Sequence, residues 1–357
     1  MLPVEPLQSD SNRQRVRAVT VRTLPMMMVC LLLAVFQVQA ADTPTKPAGL
    51  ISTSPGAELW REVRQRDGDV TGTTQVRSPG ADVLVNVSGQ AWREYRMEEL
   101  IPKASVAILI VLVVIVVFRL LRGRIRIEGG RSGLRVLRFT TNQRIAHWAT
   151  AILFVTLGLT GLTLLLGRNL LIPVFGAEGF SMIAGGAKFL HDYLGPVFMF
   201  ALVWLFILFV RDNVPSPKID LQWLLKGGGM FGKHVHAPRY NAGEKLWFWL
   251  ASIGGLAVII SGLVLDFPIF GQTRATMEFY HWVHSVSAVI LIVVSFGHIY
   301  MGTAALEGTF EVMQTGYCDS NWAREHHDLW YEEVKDSAEP VPGQQARTRR
   351  EESTGAA

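Results

Sequence analysis

Long apolar runs separated by short polar segments dominate the chain from about residue 101 onward. Five of these runs have the length, about 17–25 residues, that a helix needs to cross the hydrocarbon core of a bilayer. The pattern predicts spans at about 104–121, 145–166, 189–210, 246–265 and 280–302. With 49% hydrophobic and 18% charged residues, the composition fits an integral membrane protein with polar extensions. The predicted fold class is therefore an all-α membrane protein.

The first hundred residues have a different character. Basic residues precede the apolar run 24–38 and small residues follow it, which predicts a signal peptide over 1–40, with an uncleaved anchor as the alternative. Residues 41–100 have a soluble composition and form a predicted small extracytoplasmic segment, with a helix at 58–66 and a strand at 83–87.

The basic residues are unevenly distributed, although the net charge is only +4. Between the additional N-terminal span, assigned to 101–122, and the second span lies the basic loop 123–144, which holds a single acid, Glu128. The loop 211–245 is also basic, whereas the other loops hold very few basic residues. The positive-inside rule places both basic loops in the cytoplasm, and the order of the spans then places the charged tail 306–357 there as well. Orientation in the membrane explains the basic residues better than nucleic-acid binding does. From about residue 338 the tail has the composition of a disordered segment.

The chain offers few ways to hold a metal ion outside its histidines. Cys30 and Cys318 lie in very different segments and form neither a disulfide framework nor a metal-binding motif. No CxxCH is present, so covalent attachment of a c-type haem is excluded. Any metal must be held by histidine or through a cofactor.

Four histidines stand at two depths of the predicted bundle. His284 and His298 share the fifth span, roughly 21 Å apart along the helix and within roughly 40° of the same face. His147 lies near the cytoplasmic end of the second span, and His191 near the outer end of the third. Depth therefore pairs His147 with His298 and His191 with His284. Each pair could supply both axial ligands of a six-coordinate b-type haem, whereas a zinc or copper site would need three or four ligands at one depth.

Three further residues belong to this prediction. His281 competes with His284 for the outer site, but it lies about 100° off the face that His298 defines. It could instead hydrogen-bond to a haem propionate or lie in the membrane interface. Gly158 and Gly161 give the second span a smooth face for close approach by a helix or a flat cofactor.

Motifs beyond the histidines carry a resemblance to a known family. They are RIAHW, FLHDYLG, PRYNAGEKLWFW, the pair His284 and His298, and NWAREHHDLWY, which together extend over about 138–331. This part of the chain resembles the gamma subunit of respiratory formate dehydrogenase, a membrane cytochrome b. The signal-like start and the additional span are similar to the longer variants of that family. The resemblance implies a four-helix diheme bundle over 145–305 with one additional N-terminal transmembrane helix.

The resemblance also implies a function in the bacterial cytoplasmic membrane. A catalytic alpha subunit with molybdenum or tungsten and an iron–sulfur beta subunit would lie outside, and electrons would pass from the outer to the inner haem and reduce a quinone near the cytoplasmic face. His147 and His298 would bind the inner haem, and His191 and His284 the outer one. Asn241 and Gly243 of the YNAG sequence match the quinone-site loop. No residue for formate chemistry is present, so the chain is expected to be an electron-transfer subunit.

Two alternatives remain open at this point. The nearest is the cytochrome b of a hydrogenase or of a thiosulfate or polysulfide reductase, which uses similar helices with another catalytic partner. The other is a haem-free anchor or transporter-like protein, in which the histidines relay protons or only pack.

Overall fold

The computed structural model describes residues 60–61, 64–65, 70–71, 75, 83–228, 235–269 and 271–342. The predicted signal peptide over 1–40 lies outside the described residues. The predicted helix at 58–66 is described only at 60–61 and 64–65, and these four residues are helical. A short hairpin pairs β1 (Val70–Thr71) with β2 (Val83–Val85), which confirms a strand close to the predicted one.

Five helices in the described part of the chain are long and apolar enough to cross a membrane, and this confirms the predicted fold class. The helices, in chain order, are α1 (Val87–Glu94), α2 (Ile101–Arg122), α3 (Thr141–Leu170), α4 (Ile172–Phe209), α5 (Pro217–Leu225), α6 (Ala242–Asp266) and α7 (Arg274–Tyr300). A π-helical segment, Tyr95–Leu100, joins α1 to α2, so the first span begins earlier than predicted. A second one, Met301–Ala305, extends α7.

Polar caps explain why three spans begin before their apolar runs. Thr140 and Gln143 form a reciprocal capping box at the start of α3, and Asn241 and Glu244 form another at the start of α6. Thr273 caps α7 with its hydroxyl. Each cap satisfies backbone N–H groups that have no partner inside the helix, so the helix can begin in the polar layer.

The segment between the second and third spans differs from the prediction. It was expected to be a loop, but α4 begins at Ile172, directly after α3. The helical path is interrupted only at Gly176, whose φ of 71° lies in the left-handed region that glycine adopts without strain. The residues from 172 to 188 are mostly apolar or small, so they continue as helix once the chain has turned.

The additional helix α2 packs on the outside of the four-helix bundle. Its Ala104 forms a buried cluster with Val289 and Val293 of α7. Inside the bundle, Phe198 and Leu202 of α4 pack against Ile259 of α6. The double-histidine helix α7 therefore has the bundle on one side and α2 on another.

The basic loop and the tail fold together into one polar cap, which we define as residues 123–140, 235–241 and 306–342. Its three-stranded sheet has the order β4-β3-β5, built from β3 (Leu134–Leu137), β4 (Tyr317–Asp319) and β5 (Glu339–Pro340). The tail also contains α8 (Thr309–Thr315), α9 (Ser320–His326) and α10 (Asp328–Val334). The expected disorder from about 338 is wrong at β5, while residues 343–357 lie outside the described part.

Charge pairing connects the loop to the tail. Arg131 forms two hydrogen bonds to Glu311, at 2.7 and 2.5 Å, and Arg135 bonds Glu339 at 3.0 Å. These side chains are partly exposed, so each pair contributes about 1 kcal/mol or less. The three segments predicted to be cytoplasmic thus meet at one end of the bundle.

Candidate metal centres between the helices

Two pairs of imidazole rings face each other inside the bundle. His191 on α4 and His284 on α7 have ring centres 6.0 Å apart, with ring planes at 77°. His147 on α3 and His298 on α7 have ring centres 6.3 Å apart, with ring planes at 56°. Two imidazoles that bind one metal ion from opposite sides, with bonds of about 2.0 Å, place their ring centres roughly 6 Å apart. Both pairs therefore have the spacing of a bis-histidine metal centre.

His281 has a different partner. Its ring is stacked on Trp92 of α1, with centres 5.9 Å apart and planes at 17°. Nearby, the Asn86 amide donates a hydrogen bond to Glu278 at 2.9 Å. These contacts hold the start of α1 against α7, so His281 anchors the additional helix while His284 faces His191.

Hydroxyl groups contact both rings of the outer pair. His191 Nδ1 lies 2.8 Å from Thr160 Oγ1, and His284 Nδ1 lies 3.1 Å from both Ser261 Oγ and the Val258 carbonyl oxygen. Ser261 is fully buried and Thr160 nearly so. Neither residue was singled out by sequence reasoning, because the pairing joins different helices and a hydroxyl in an apolar span has many packing roles.

Two glycines make room for the outer rings. A Cβ at Gly161 would lie 3.3 Å from His191 Cε1, and one at Gly262 would lie 3.2 Å from His284 Cε1. Gly158 instead faces Ile292, at an ordinary contact distance of 3.8 Å. Of the two glycines singled out in the sequence, Gly161 therefore adjoins the site, and Gly262 was missed.

The inner pair is surrounded by aromatic rings. Trp247 is stacked on His298 with centres 4.8 Å apart and planes at 18°, and Trp148 meets His147 edge-on at 5.3 Å. His147 Nδ1 is buried and has no hydrogen-bond partner in the described structure. Trp148 Nε1 donates to the Met313 carbonyl oxygen at 3.2 Å, which ties α3 to the cap.

The donor set fits haem iron better than a bare metal ion. Within the described residues, no group of three or more His, Cys, Asp or Glu side chains comes together as a metal site. Two facing imidazoles leave four coordination positions in a plane between them, and a porphyrin fills four positions of that kind. A structural zinc ion would need two more protein ligands.

The YNAG sequence begins α6 near the inner pair. Asn241 Oδ1 accepts the Glu244 backbone N–H at 3.0 Å, while its amide nitrogen donates no hydrogen bond to a described residue. Trp247, the ring stacked on His298, lies six residues later, about 9 Å along the helix axis. Gly243 packs against the indole of Trp223 in α5, since a Cβ there would lie 3.0 Å from Cη2.

The cap holds this sequence in place through a buried arginine. Arg138 is only 2% exposed and donates to Glu244 at 3.0 Å and to the Arg239 carbonyl oxygen at 2.9 Å. Its guanidinium also lies 4.9 Å from the Trp322 ring centre and 5.6 Å from that of Tyr240. Arg138 therefore links the loop before α3, the start of α6 and the tail.

The tail histidine His327 completes the contact. Its Nδ1 donates to the Pro238 carbonyl oxygen at 2.9 Å, and its side chain is 1% exposed. Burial, and next the positive charge of Arg138, lower the pKa of His327 well below its ordinary value. The ring is therefore neutral at pH 7, and its 3.8 Å approach to Glu244 is not an ion pair. The motifs around YNAG and HHDLWY thus contact each other directly.

Five membrane-spanning helices with two pairs of facing histidines define a membrane cytochrome b. The family described as prokaryotic cytochrome b561 matches residues 138–316, half of the chain, and the chain belongs to this family. Membership implies a b-type haem and a role in membrane electron transfer, and it argues against the haem-free alternative. The family match begins after the additional helix α2.

Curated relatives have similar sequences over 83–95% of their own length. The formate dehydrogenase cytochrome b556(fdo) subunit of Escherichia coli K12 is 31% identical over 211 residues, which cover 57% of this chain and 95% of the relative. The nitrate-inducible cytochrome b556(Fdn) subunit of the same strain is 27% identical, with 56% and 92% covered. The formate dehydrogenase cytochrome b556 subunit of Haemophilus influenzae is 27% identical, with 56% and 83% covered. These relatives confirm the predicted resemblance.

Proposed function

We propose that this chain is the cytochrome b subunit of a formate dehydrogenase complex in the bacterial cytoplasmic membrane. It passes electrons from an extracytoplasmic iron–sulfur subunit through two b haems to a quinone near the cytoplasmic face. The catalytic molybdenum or tungsten subunit oxidises formate outside, and this chain itself does not. Quinone reduction at the inner face takes protons from the cytoplasm, so the reaction contributes to the proton motive force.

The observation that carries the proposal is the pair of facing imidazoles at each of two depths. His191 with His284 would hold one haem, and His147 with His298 the other. A b haem bound by two imidazoles supplies reversible one-electron transfer. The histidines would hold the haem between apolar helices, and apolar surroundings favour electron transfer over reaction with solvent.

The direction of transfer is supported by the distribution of charge. The cap contains most of the arginines of the basic loop, and the positive-inside rule places it in the cytoplasm. The mature N-terminus is then extracytoplasmic and the C-terminus cytoplasmic. His191 and His284 lie at the opposite end from the cap, so they are the pair nearer to the external subunits.

The quinone site is proposed at Asn241 and Gly243. The Asn241 side-chain oxygen serves the helix cap, which leaves its amide N–H groups for a quinone carbonyl. Gly243 packs closely against the Trp223 indole, which shows that an aromatic ring can approach the backbone at this glycine. Trp247 connects the start of α6 to His298, which keeps the proposed quinone site near the inner haem.

Ligand replacement tests the haem assignment directly. His191→Ala should remove the outer haem, and His298→Ala the inner one, each lowering the haem content of the purified complex from two per chain to one. His281→Ala is the matched control, since it removes an exposed histidine from the same helix as His298 and should keep both haems. A His298→Ala protein that retained two haems would refute the assignment.

The quinone assignment needs a variant that preserves the helix cap. Asn241→Asp keeps a cap oxygen and removes the amide donor, so α6 should still form. We expect formate to reduce the haems as before while quinone reduction slows at least tenfold. Unchanged quinone reduction would remove Asn241 from the site. If a hydrogenase or a sulfur-compound reductase co-purifies in place of formate dehydrogenase, the cytochrome assignment stands and the partner is wrong.

A further inference from the structure

The two proposed haem sites differ in what their ligands contact away from the metal. Both outer rings have oxygen partners at Nδ1, whereas His147 Nδ1 has none among the described residues. The inner rings contact indoles instead, with Trp247 stacked on His298. This asymmetry rests on the proposed function, because it matters only if these four histidines bind haem.

The carbonyl groups of α3 show whether Thr160 Oγ1 or His191 Nδ1 donates the hydrogen in the contact between them. Thr160 Oγ1 lies 3.0 Å from the Thr156 carbonyl oxygen and 3.1 Å from that of Leu157. A hydroxyl has one hydrogen, and a carbonyl oxygen only accepts. The hydroxyl therefore donates to its own helix, and its lone pair accepts from His191 Nδ1–H.

The Ser261 hydroxyl is also occupied by its own helix, but it has a competitor for the histidine hydrogen. Its hydroxyl donates to the Ala257 carbonyl oxygen at 2.6 Å, so its lone pair and the Val258 carbonyl oxygen, each 3.1 Å from His284 Nδ1, share the Nδ1–H. Both outer histidines thus have the hydrogen on Nδ1 and keep the Nε2 lone pair free. This is the tautomer that a metal ligand requires.

A hydrogen bond accepted from Nδ1–H makes the opposite nitrogen more basic. A more basic ligand donates more strongly to iron and favours the oxidised form, so the reduction potential falls. Nδ1 of His147 has no such partner in the described structure, so His147 lacks this effect.

We infer that Thr160 and Ser261 are positioning residues that fix the tautomer of the outer ligands and lower the potential of the outer haem relative to the inner one. Electron transfer from the outer haem to the inner haem is then favourable, in the direction that quinone reduction needs. A hydroxyl group that contacts an outer histidine thus lies on each of two helices, α3 and α6.

The test is a redox titration of the haem absorption bands in the intact complex. Thr160→Val should raise the lower of the two midpoint potentials and leave the higher one unchanged. Ser261→Ala should shift the same potential in the same direction but by less, because the Val258 carbonyl oxygen remains as an acceptor. We expect the ratio of oxidised to reduced outer haem at a fixed potential to change threefold to tenfold. A tenfold change corresponds to a shift of about 59 mV for one electron. Thr160→Ser keeps the hydroxyl and should therefore keep the wild-type potential.

Matched controls come from the same two helices. Thr163→Val removes an exposed hydroxyl that bonds only the Leu159 carbonyl oxygen, and Ser252→Ala removes one that bonds the Phe248 carbonyl oxygen. Neither should shift a potential. If Thr160→Val loses haem, Ser261→Ala still provides a measurement. The Val258 carbonyl oxygen keeps His284 in place, so the haem should be retained while the second acceptor at Nδ1 is lost.

Two full haems with unchanged potentials in both variants would overturn the inference, as would a shift confined to the higher potential. Failure of the proposed function has a different signature, since His191→Ala would then leave the haem content unchanged. The two failures are therefore separable.

Discussion

The glycines beside the outer pair give a prediction whose magnitude follows from the structure. In Gly161→Ala the new Cβ would lie 3.3 Å from His191 Cε1, and in Gly262→Ala it would lie 3.2 Å from His284 Cε1. Ordinary van der Waals contact between carbon atoms begins at roughly 3.5 Å. Each ring must therefore move by a few tenths of an ångström, and the ring is held by a hydroxyl on the same side as the glycine.

Two opposing terms decide the outcome. Alanine in place of glycine within a helix favours folding by about 1 kcal/mol, while crowding a packed site costs about 1–3 kcal/mol. The global stability should then change by less than about 2 kcal/mol. The haem site is affected more, because functional geometry tolerates displacements of only about 0.5 Å.

The assay is haem content by the pyridine haemochrome method, together with the EPR spectrum of the oxidised complex. We expect Gly161→Ala and Gly262→Ala to shift the g-values of the outer haem and to lower its occupancy. Gly158→Ala is the matched control on the same helix as Gly161, since its Cβ would meet Ile292 at 3.8 Å. If Gly161→Ala gave the same spectrum and haem content as Gly158→Ala, the placement of His191 at this glycine would be refuted.

Two further predictions concern the cap. Arg138→Met removes the buried positive charge that pairs with the partly exposed Glu244, and it should destabilise the cap by about 3 kcal/mol. Arg135→Met breaks an exposed pair and should cost less than about 1 kcal/mol. Denaturant titration of tryptophan fluorescence measures both changes. Equal effects of the two variants would contradict the role of Arg138. Burial and the charge of Arg138 lower the pKa of His327 in the folded cap, and His326 and Glu244 are its other titratable neighbours. Below about pH 6.5 the histidine is protonated in the unfolded cap but still neutral in the folded one, so the unfolded cap binds more protons. The contribution of His327 to the free energy of unfolding should therefore be constant above that pH and fall as the pH drops below it, by up to about 1.4 kcal/mol per pH unit. His327→Gln should reduce this slope. The same titration at pH 7.5 and 5.5 checks this, and equal stability at both values would be the contrary result.

The spans and the histidine pairs could be predicted because their signals are local. Apolar runs long enough to cross a bilayer fix the helices, and the 14-residue spacing of His284 and His298 fixes two depths on one face. The choice of His284 over His281 also followed from helical periodicity. The structure adds that His281 stacks on Trp92.

The cap and the polar partners of the ligands could not be predicted, because they depend on contacts between distant parts of the chain. Strand β3 pairs with residues about 180 positions later, and its short, mixed sequence LRVL has no strong strand pattern of its own. Thr160 and Ser261 lie on helices other than those of the histidines they contact. The helical start of α4 was missed because the sparse charge between the second and third spans indicated only an outer loop.

A visible difference spectrum of the native complex, recorded after formate and then after dithionite, tests the formate dehydrogenase assignment most directly. We expect formate alone to reduce b-type haem in an amount equal to two haems per chain, and dithionite to add little more. Reduction by dithionite only would contradict the formate dehydrogenase assignment, and a total of one haem per chain would contradict the two-site arrangement.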